Sequence, residues 1–102
     1  MVARKIALTT RVFEKAGDGT AFFKEMLNRY QIGDAVSAVD AKDLDALMER
    51  HDERDEKIGV GVDHYEVQRG PEGMTRCFWI VRTDGSRIDI SYLHCLKARP
   101  YD

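Results

Sequence analysis

Apolar residues recur in two rhythms along this chain, and each rhythm predicts an element. Between Lys5 and Thr9, Ile6 and Leu8 alternate with polar neighbours and Val12 and Phe13 follow, which predicts an opening strand that runs into an irregular connection. After the turn cluster Gly17-Asp18-Gly19-Thr20, with Asp18 and Thr20 as capping residues, Phe22, Phe23, Met26, Leu27 and Tyr30 recur at helical spacing. This predicts a first helix ending near Tyr30, with Gly33 suited to its exit and residues 31–39 as a linker. A second helix is expected to start at Asp40, where acidic side chains in the first turn favour the helix dipole. Its buried face would carry Leu44, Leu47, Met48 and His51, while Asp43, Asp45, Glu49, Asp52 and Glu53 would form an acidic, solvated side.

Beyond Lys57 the period falls to two. Ile58, Val60 and Val62 alternate with Gly59 and Gly61, and Tyr65 and Val67 continue after a change of parity that predicts one inserted residue, a β-bulge, between Val62 and Tyr65. Gly70-Pro71-Glu72-Gly73 predicts a turn. The stretch Arg76 to Tyr92 then reads as a β-hairpin about Asp84-Gly85, with Thr83 facing Ser86, Val81 facing Ile88, Trp79 facing Ile90 and Cys77 facing Tyr92. In that register Trp79, Val81, Ile88 and Ile90 pack on the helices, and Phe78, Ile80, Arg82, Arg87, Asp89 and Ser91 lie on the outer face. Residues 93–98 suggest a short helical turn and residues 99–102 a frayed tail. The order β-α-α-β-β-β predicts an α+β fold: an antiparallel sheet of three C-terminal strands plus the N-terminal strand, with two helices on one face.

At 102 residues the chain reads as a single domain over 1–102 with enough length to bury its own core. The net charge of −2 excludes a global attraction for polyanions, but the distribution is uneven. Residues 1–33 hold six basic and three acidic groups, residues 34–56 three and nine, and residues 57–99 seven and five. A polyanion would therefore bind the ends and avoid the middle. The N-terminal apolar run is too short for a secretory signal and no segment approaches the ~20 apolar residues of a membrane span, so a cytoplasmic protein without membrane contact is expected. Two cysteines in such a chain are expected to be free thiols.

His51, His64, His94, Cys77 and Cys95 show no close ligand spacing, so no metal or other cofactor is expected. No nucleophile, base and oxyanion donor can be assembled from the sequence, so no catalytic residue is assigned and the chain reads as non-enzymatic. His51 suits a cationic partner for the C-terminal end of the second helix. On the outer hairpin face Arg82 could pair with Asp89, a structural role. Alternatively, Phe78 between arginines could stack and neutralise a single nucleic-acid strand.

His51, Lys57-Ile58-Gly59, Gly61, Val67, Arg76-Cys77-Phe78, Val81 to Gly85 (Val-Arg-Thr-Asp-Gly), Asp89, Ser91-Tyr92 and Cys95-Leu96-Lys97 together resemble the "defective chloroplasts and leaves" (DCL) protein family. Leu27-Asn28-Arg29-Tyr30 ahead of a second helix fits its looser N-terminal pattern. Asp52 stands where the family tends to have proline, and Ile90 where it tends to have phenylalanine. The resemblance implies a role more than a reaction, since plant members are associated with plastid ribosomal RNA maturation and a similar domain ends the largest subunits of plant-specific RNA polymerases. The implied function is a binding module for RNA or a ribonucleoprotein complex, with Lys57, Arg76, Phe78, Arg82, Arg87 and Lys97 as contact residues. A protein-interaction domain without nucleic-acid contact is the alternative.

Overall fold

A computed structural model describes residues 5–73 and 75–98. The residues read as a frayed tail, 99–102, lie outside the described residues. The elements are β1 (Ile6–Ala7), β2 (Val12–Phe13), α1 (Ala16–Asn28), α2 (Ala38–Met48), α3 (Arg54–Ile58), β3 (Val62–Arg69), β4 (Arg76–Arg82), β5 (Arg87–Ile90) and α4 (Tyr92–Cys95). The fold is α+β, with a three-stranded antiparallel sheet in the order β3-β4-β5. The N-terminal strand does not join it: β1 pairs with β2 in a separate two-stranded sheet.

α1 begins ahead of the glycine cluster read as a turn. Gly17 and Gly19 are helical, Lys15 is the N-cap residue, and Thr20 donates its hydroxyl to the Ala16 carbonyl instead of capping. Packing overrides the turn signal here: a Cβ at Gly19 would lie 3.2 Å from the Phe13 ring, so glycine allows the helix to close on β2. α2 is capped by Ser37, whose hydroxyl accepts the Asp40 N–H. Asp40 and Asp43 are buried. Arg11, from the loop between β1 and β2, donates two hydrogen bonds to Asp43 at 2.9 and 3.0 Å, and the Tyr30 hydroxyl donates to Asp40. Asp43 therefore belongs to an internal ion pair and not to the solvated side expected of it.

The bulge in β3 is present as a register shift between Val62 and His64. The hairpin register is displaced by one residue from the expected one: Phe78 pairs with Ile90, Trp79 with Asp89, Ile80 with Ile88 and Val81 with Arg87. The loop is three residues long, a turn closed by the Gly85 N–H to the Arg82 carbonyl, with Gly85 at φ +85°. One extra loop residue moves Ile88 and Ile90 to the face of Phe78 and Ile80. That face, with Tyr65 and Val67, meets Phe23, Met26 and Leu27 of α1 and Leu44, Leu47 and Met48 of α2 in the core. Phe78 and Ile80 are thus core residues, and Trp79 lies on the outer face. Each such large apolar side chain contributes about 1.5–3 kcal/mol by leaving water.

The linker after α1 is structured. Its segment 33–36 exchanges backbone hydrogen bonds with Tyr65 and Val67 and so runs along the outer edge of β3. Among the described residues no helix is long and apolar enough to cross a membrane.

Candidate functional site

Arg82 joins the hairpin to α3. Its guanidinium donates to the carbonyls of Lys57 (3.0 Å) and Glu56 (3.1 Å) and to the Ser86 hydroxyl (3.1 Å). Cations are favoured at a helix C-terminus, and here the charge meets the last carbonyls of α3 directly. Gly59, at φ +56°, lets the two segments approach, since a Cβ would stand 2.9 Å from Arg82 Nε. Thr83 adds a backbone bond to Gly61, and Asp84 accepts from the Ser86 N–H and hydroxyl, which holds its carboxyl below the ordinary value. Arg82, Gly59, Gly61, Asp84 and Gly85 therefore form one structural joint. Arg82 is committed to α3, neither to the expected Asp89 pair nor to an open face.

Most of the other singled-out residues converge at the far side of β5. Two hollows of about 390 and 440 Å³ share Asp89, Ser91 and Leu93 and so adjoin, together making a groove beside β5. The first is lined further by His51, Glu53, Lys57, His94 and Lys97, and the second by Glu72, Arg76, Cys77 and Tyr92 over a floor of Phe78. Lys57 Nζ donates to the Asp89 carbonyl at 2.9 Å, which sets it at the sheet edge. Ser91 accepts the His94 N–H and starts α4. Arg76 and Lys97 are exposed. Phe78 is 1% exposed and packs edge-on to Tyr92, so it is not a stacking platform.

Both cysteines are free thiols. Burial, with the Asp89 carboxylate second, pushes the Cys77 thiol up to about 11, and its Sγ donates to the Ile90 carbonyl. A thiol so protonated at neutral pH is a poor nucleophile. Cys95 is wholly buried, and Arg50, itself buried, donates to the Cys95 carbonyl at 2.8 Å and to the Lys97 carbonyl at 3.1 Å, tying the end of α2 to α4.

The fold brings together two histidines that sequence spacing kept apart. The rings of His51 and His94 are 4.7 Å apart, and His94 Nε2 lies 2.7 Å from Asp52. His51, Asp52 and His94 could each offer a ligand atom, all within 4.8 Å of one another. Two features oppose a cation there. His51 Nδ1 already accepts the Glu53 N–H at 2.9 Å, and two lysines, Lys57 and Lys97, line the hollow that His51 and His94 share. Burial, then the neighbouring His94, lowers the His51 pKa, so the ring is neutral at pH 7 and does not act as the cationic helix partner expected of it.

The sheet's outer face holds a second hollow of about 460 Å³, lined by Ile32, Gln68, Arg69, Trp79 and Arg87. Trp79 is partly exposed, and its indole N–H donates to the Arg69 carbonyl at 3.0 Å. Arg87 is exposed and stands 3.6 Å from Glu66. Of the expected contact residues, Lys57, Arg76 and Lys97 line the groove, Arg87 lines this hollow, and Phe78 and Arg82 are structural. Trp79 and Arg69 were not anticipated, because the one-residue register error put the indole in the core. The Thr83-Asp84-Gly85 loop was the signal that could have found them.

Residues 24–96 match the family described as "Protein of unknown function (DUF3223)". The chain is 42% identical over 72 residues to "Protein DCL, chloroplastic" of Solanum lycopersicum, covering 69% of this chain and 32% of that protein. It is 33% identical over 73 residues to "DNA-directed RNA polymerase IV subunit 1" of Arabidopsis thaliana, covering 72% of this chain and 5% of that subunit. The chain thus spans under a third of the length of either relative. A solution NMR structure of an uncharacterized protein from Rhodospirillum rubrum superposes with a TM-score of 0.83 at 45% identity, covering 91% of this chain and 88% of that one. Joined to the signature residues gathered about the groove and the Arg82 joint, these likenesses establish that the chain belongs to the DUF3223 family, the domain type of the DCL proteins.

Proposed function

We propose that this protein is a non-enzymatic binding module for RNA or a ribonucleoprotein complex, and that the groove beside β5 is its contact surface. The observation that carries the reading is the placement of Lys57, Arg76 and Lys97 about two adjoining hollows, although they come from α3, from β4 and from the segment after α4; Glu53, Glu72 and Asp89 line the same hollows, and of the cations Arg76 and Lys97 are exposed. Cations spaced along a groove follow a phosphodiester backbone, which supplies most of the affinity of such modules and makes it salt-dependent. A relative that is part of an RNA polymerase subunit supports a domain that works attached to an RNA-handling machine. The high thiol pKa of Cys77 favours binding over nucleophilic chemistry. Two free thiols suit a reducing, cytoplasmic setting.

Titration with a short single-stranded RNA, followed by amide NMR and repeated over a salt series, tests the reading. Shifts are expected at Lys57, Arg76 and Lys97, with affinity falling steeply as salt rises. The R76Q and K97Q variants should each flatten the plot of log affinity against log salt by about 0.7 per lost contact. No shift at these positions at low salt would overturn the proposal. Leu93, 53% exposed where the two hollows meet, favours a protein partner as the second reading. A partner that survives nuclease treatment and is lost in L93S would support it.

A further inference from the structure

We infer that the hollow over Trp79 is a stacking subsite for one unpaired nucleobase, with Arg69 and Arg87 taking the phosphates on either side of it. The inference deepens the RNA reading and rests on it for the class of ligand, but it concerns a different surface from the groove. Trp79 lies in the central strand, on the sheet face away from the helices, and is partly exposed. Its indole N–H is held by the Arg69 carbonyl, so the ring's orientation is set before any ligand arrives. An aromatic fixed in this way loses little entropy on stacking a base.

The surroundings select the ligand by charge. The hollow is lined by two arginines, Gln68, Ile32 and the indole, while the carboxylate residues paired with Trp79, Glu66 on β3 and Asp89 on β5, do not line it. Glu66, directly across β3 from Trp79, is turned to other partners: His64 Nε2 at 2.9 Å and the Gln68 amide at 3.2 Å. Its contact with Arg87 is loose, at 3.6 Å, and leaves that guanidinium exposed. Arg87 pairs with Val81 and Trp79 with Asp89, so Arg87 lies diagonal to the indole on the same face. Arg69 lines the hollow from β3, its carbonyl accepting the indole N–H and its guanidinium donating to the Gly73 carbonyl at 3.4 Å, a long bond at an exposed site that a phosphate can displace. Arginines at the rim of such a hollow fit a base with its phosphates better than an apolar peptide, which would desolvate their charges without a counter-charge of its own.

Trp79 is the one tryptophan in the chain, so tryptophan emission reports on this site alone. The experiment titrates the protein at low salt with a short oligouridylate and, separately, with an abasic strand carrying the same phosphodiesters. Quenching by the base-bearing strand and little or none by the abasic one is the expected result. Followed by amide NMR, since these variants lack the fluorophore, W79L should bind oligouridylate roughly 5- to 150-fold more weakly, the value of one stacked base, while W79F stays near the parent protein. R87Q should keep the quenching and flatten the salt dependence. If W79L fails to fold, the two titrations of the parent protein and R87Q still decide. Equal emission changes with both strands, or NMR shifts in the groove with none at Trp79, would overturn the subsite and leave the RNA reading standing. No binding of either strand would overturn both.

Discussion

Arg82 does at the residue scale what two separate features were expected to do. Its three acceptors come from α3 and from the hairpin loop, so loss of the side chain leaves the Glu56 and Lys57 carbonyls without that donor at a partly buried site. Charged hydrogen bonds of this kind contribute more than neutral ones, and R82A is expected to cost about 2–3 kcal/mol in urea unfolding. R82K should recover less than half of that, since an ammonium cannot span three oxygens in a plane. Unchanged stability in R82A would mean that the joint is held elsewhere. The importance of Arg82 was legible in the sequence but its partner was not. A carboxylate two residues past the next arginine is a visible candidate, whereas backbone carbonyls in a helix twenty-five positions earlier leave no mark on sequence.

The hairpin shows the same limit at the scale of an element. Phe78-Trp79-Ile80-Val81 is apolar on both faces, so a two-residue period cannot say which side turns inward, and the choice passes to the loop. Asp-Gly is the signal of a two-residue turn, but the chain uses Thr83 as well, because its N–H and hydroxyl are held by the Gly61 and Val60 carbonyls. The number and order of the C-terminal strands, the bulge before Tyr65 and both long helices were readable. Their ends and the inward face were decided by contacts distant in sequence. Gly85, at φ +85°, carries the prediction that belongs here: G85A should cost about 1–2 kcal/mol, read from the denaturation midpoint, with cross-strand NOEs that keep Trp79 opposite Asp89. A shift of pairing to Trp79 opposite Ile90 would show that the glycine itself selects the register.

Two histidines act in opposite senses on the stability of the whole molecule. Hydrogen bonds to Glu66 and then Asp63 raise the His64 pKa, so its contribution is fully present below the unfolded value of about 6.5 and is lost as pH rises through the raised one. His51 is lowered, mainly by burial, so its contribution is present above about 6.5 and is lost as pH falls toward the lowered value. The difference in stability between the parent protein and H64Q should therefore be largest in mildly acidic buffer and shrink toward pH 8. The difference for H51Q should run the other way. Parallel pH profiles for the two variants would refute the assignment. The His64 effect should be the smaller, because that side chain is a third exposed and solvent screens it. The uneven charge along the chain was plain in the sequence, but how it folds was not. The acidic middle turns Asp40 and Asp43 inward against Tyr30 and Arg11, while Lys57, Arg76 and Lys97 gather about the groove beside β5.

The segment 33–36 laid along β3 bears on which edges of the sheet are open to another strand. Exposed strand edges recruit other strands, and this sheet has its two outer strands protected by different means. Backbone bonds from the post-α1 segment cover β3, and at β5 a lysine ammonium holds the Asp89 carbonyl. Edge-to-edge assembly into filaments is thereby opposed at both ends of the sheet. If this ammonium guards the edge, K57A is expected to self-associate at concentrations where the parent protein does not, as read by sedimentation velocity.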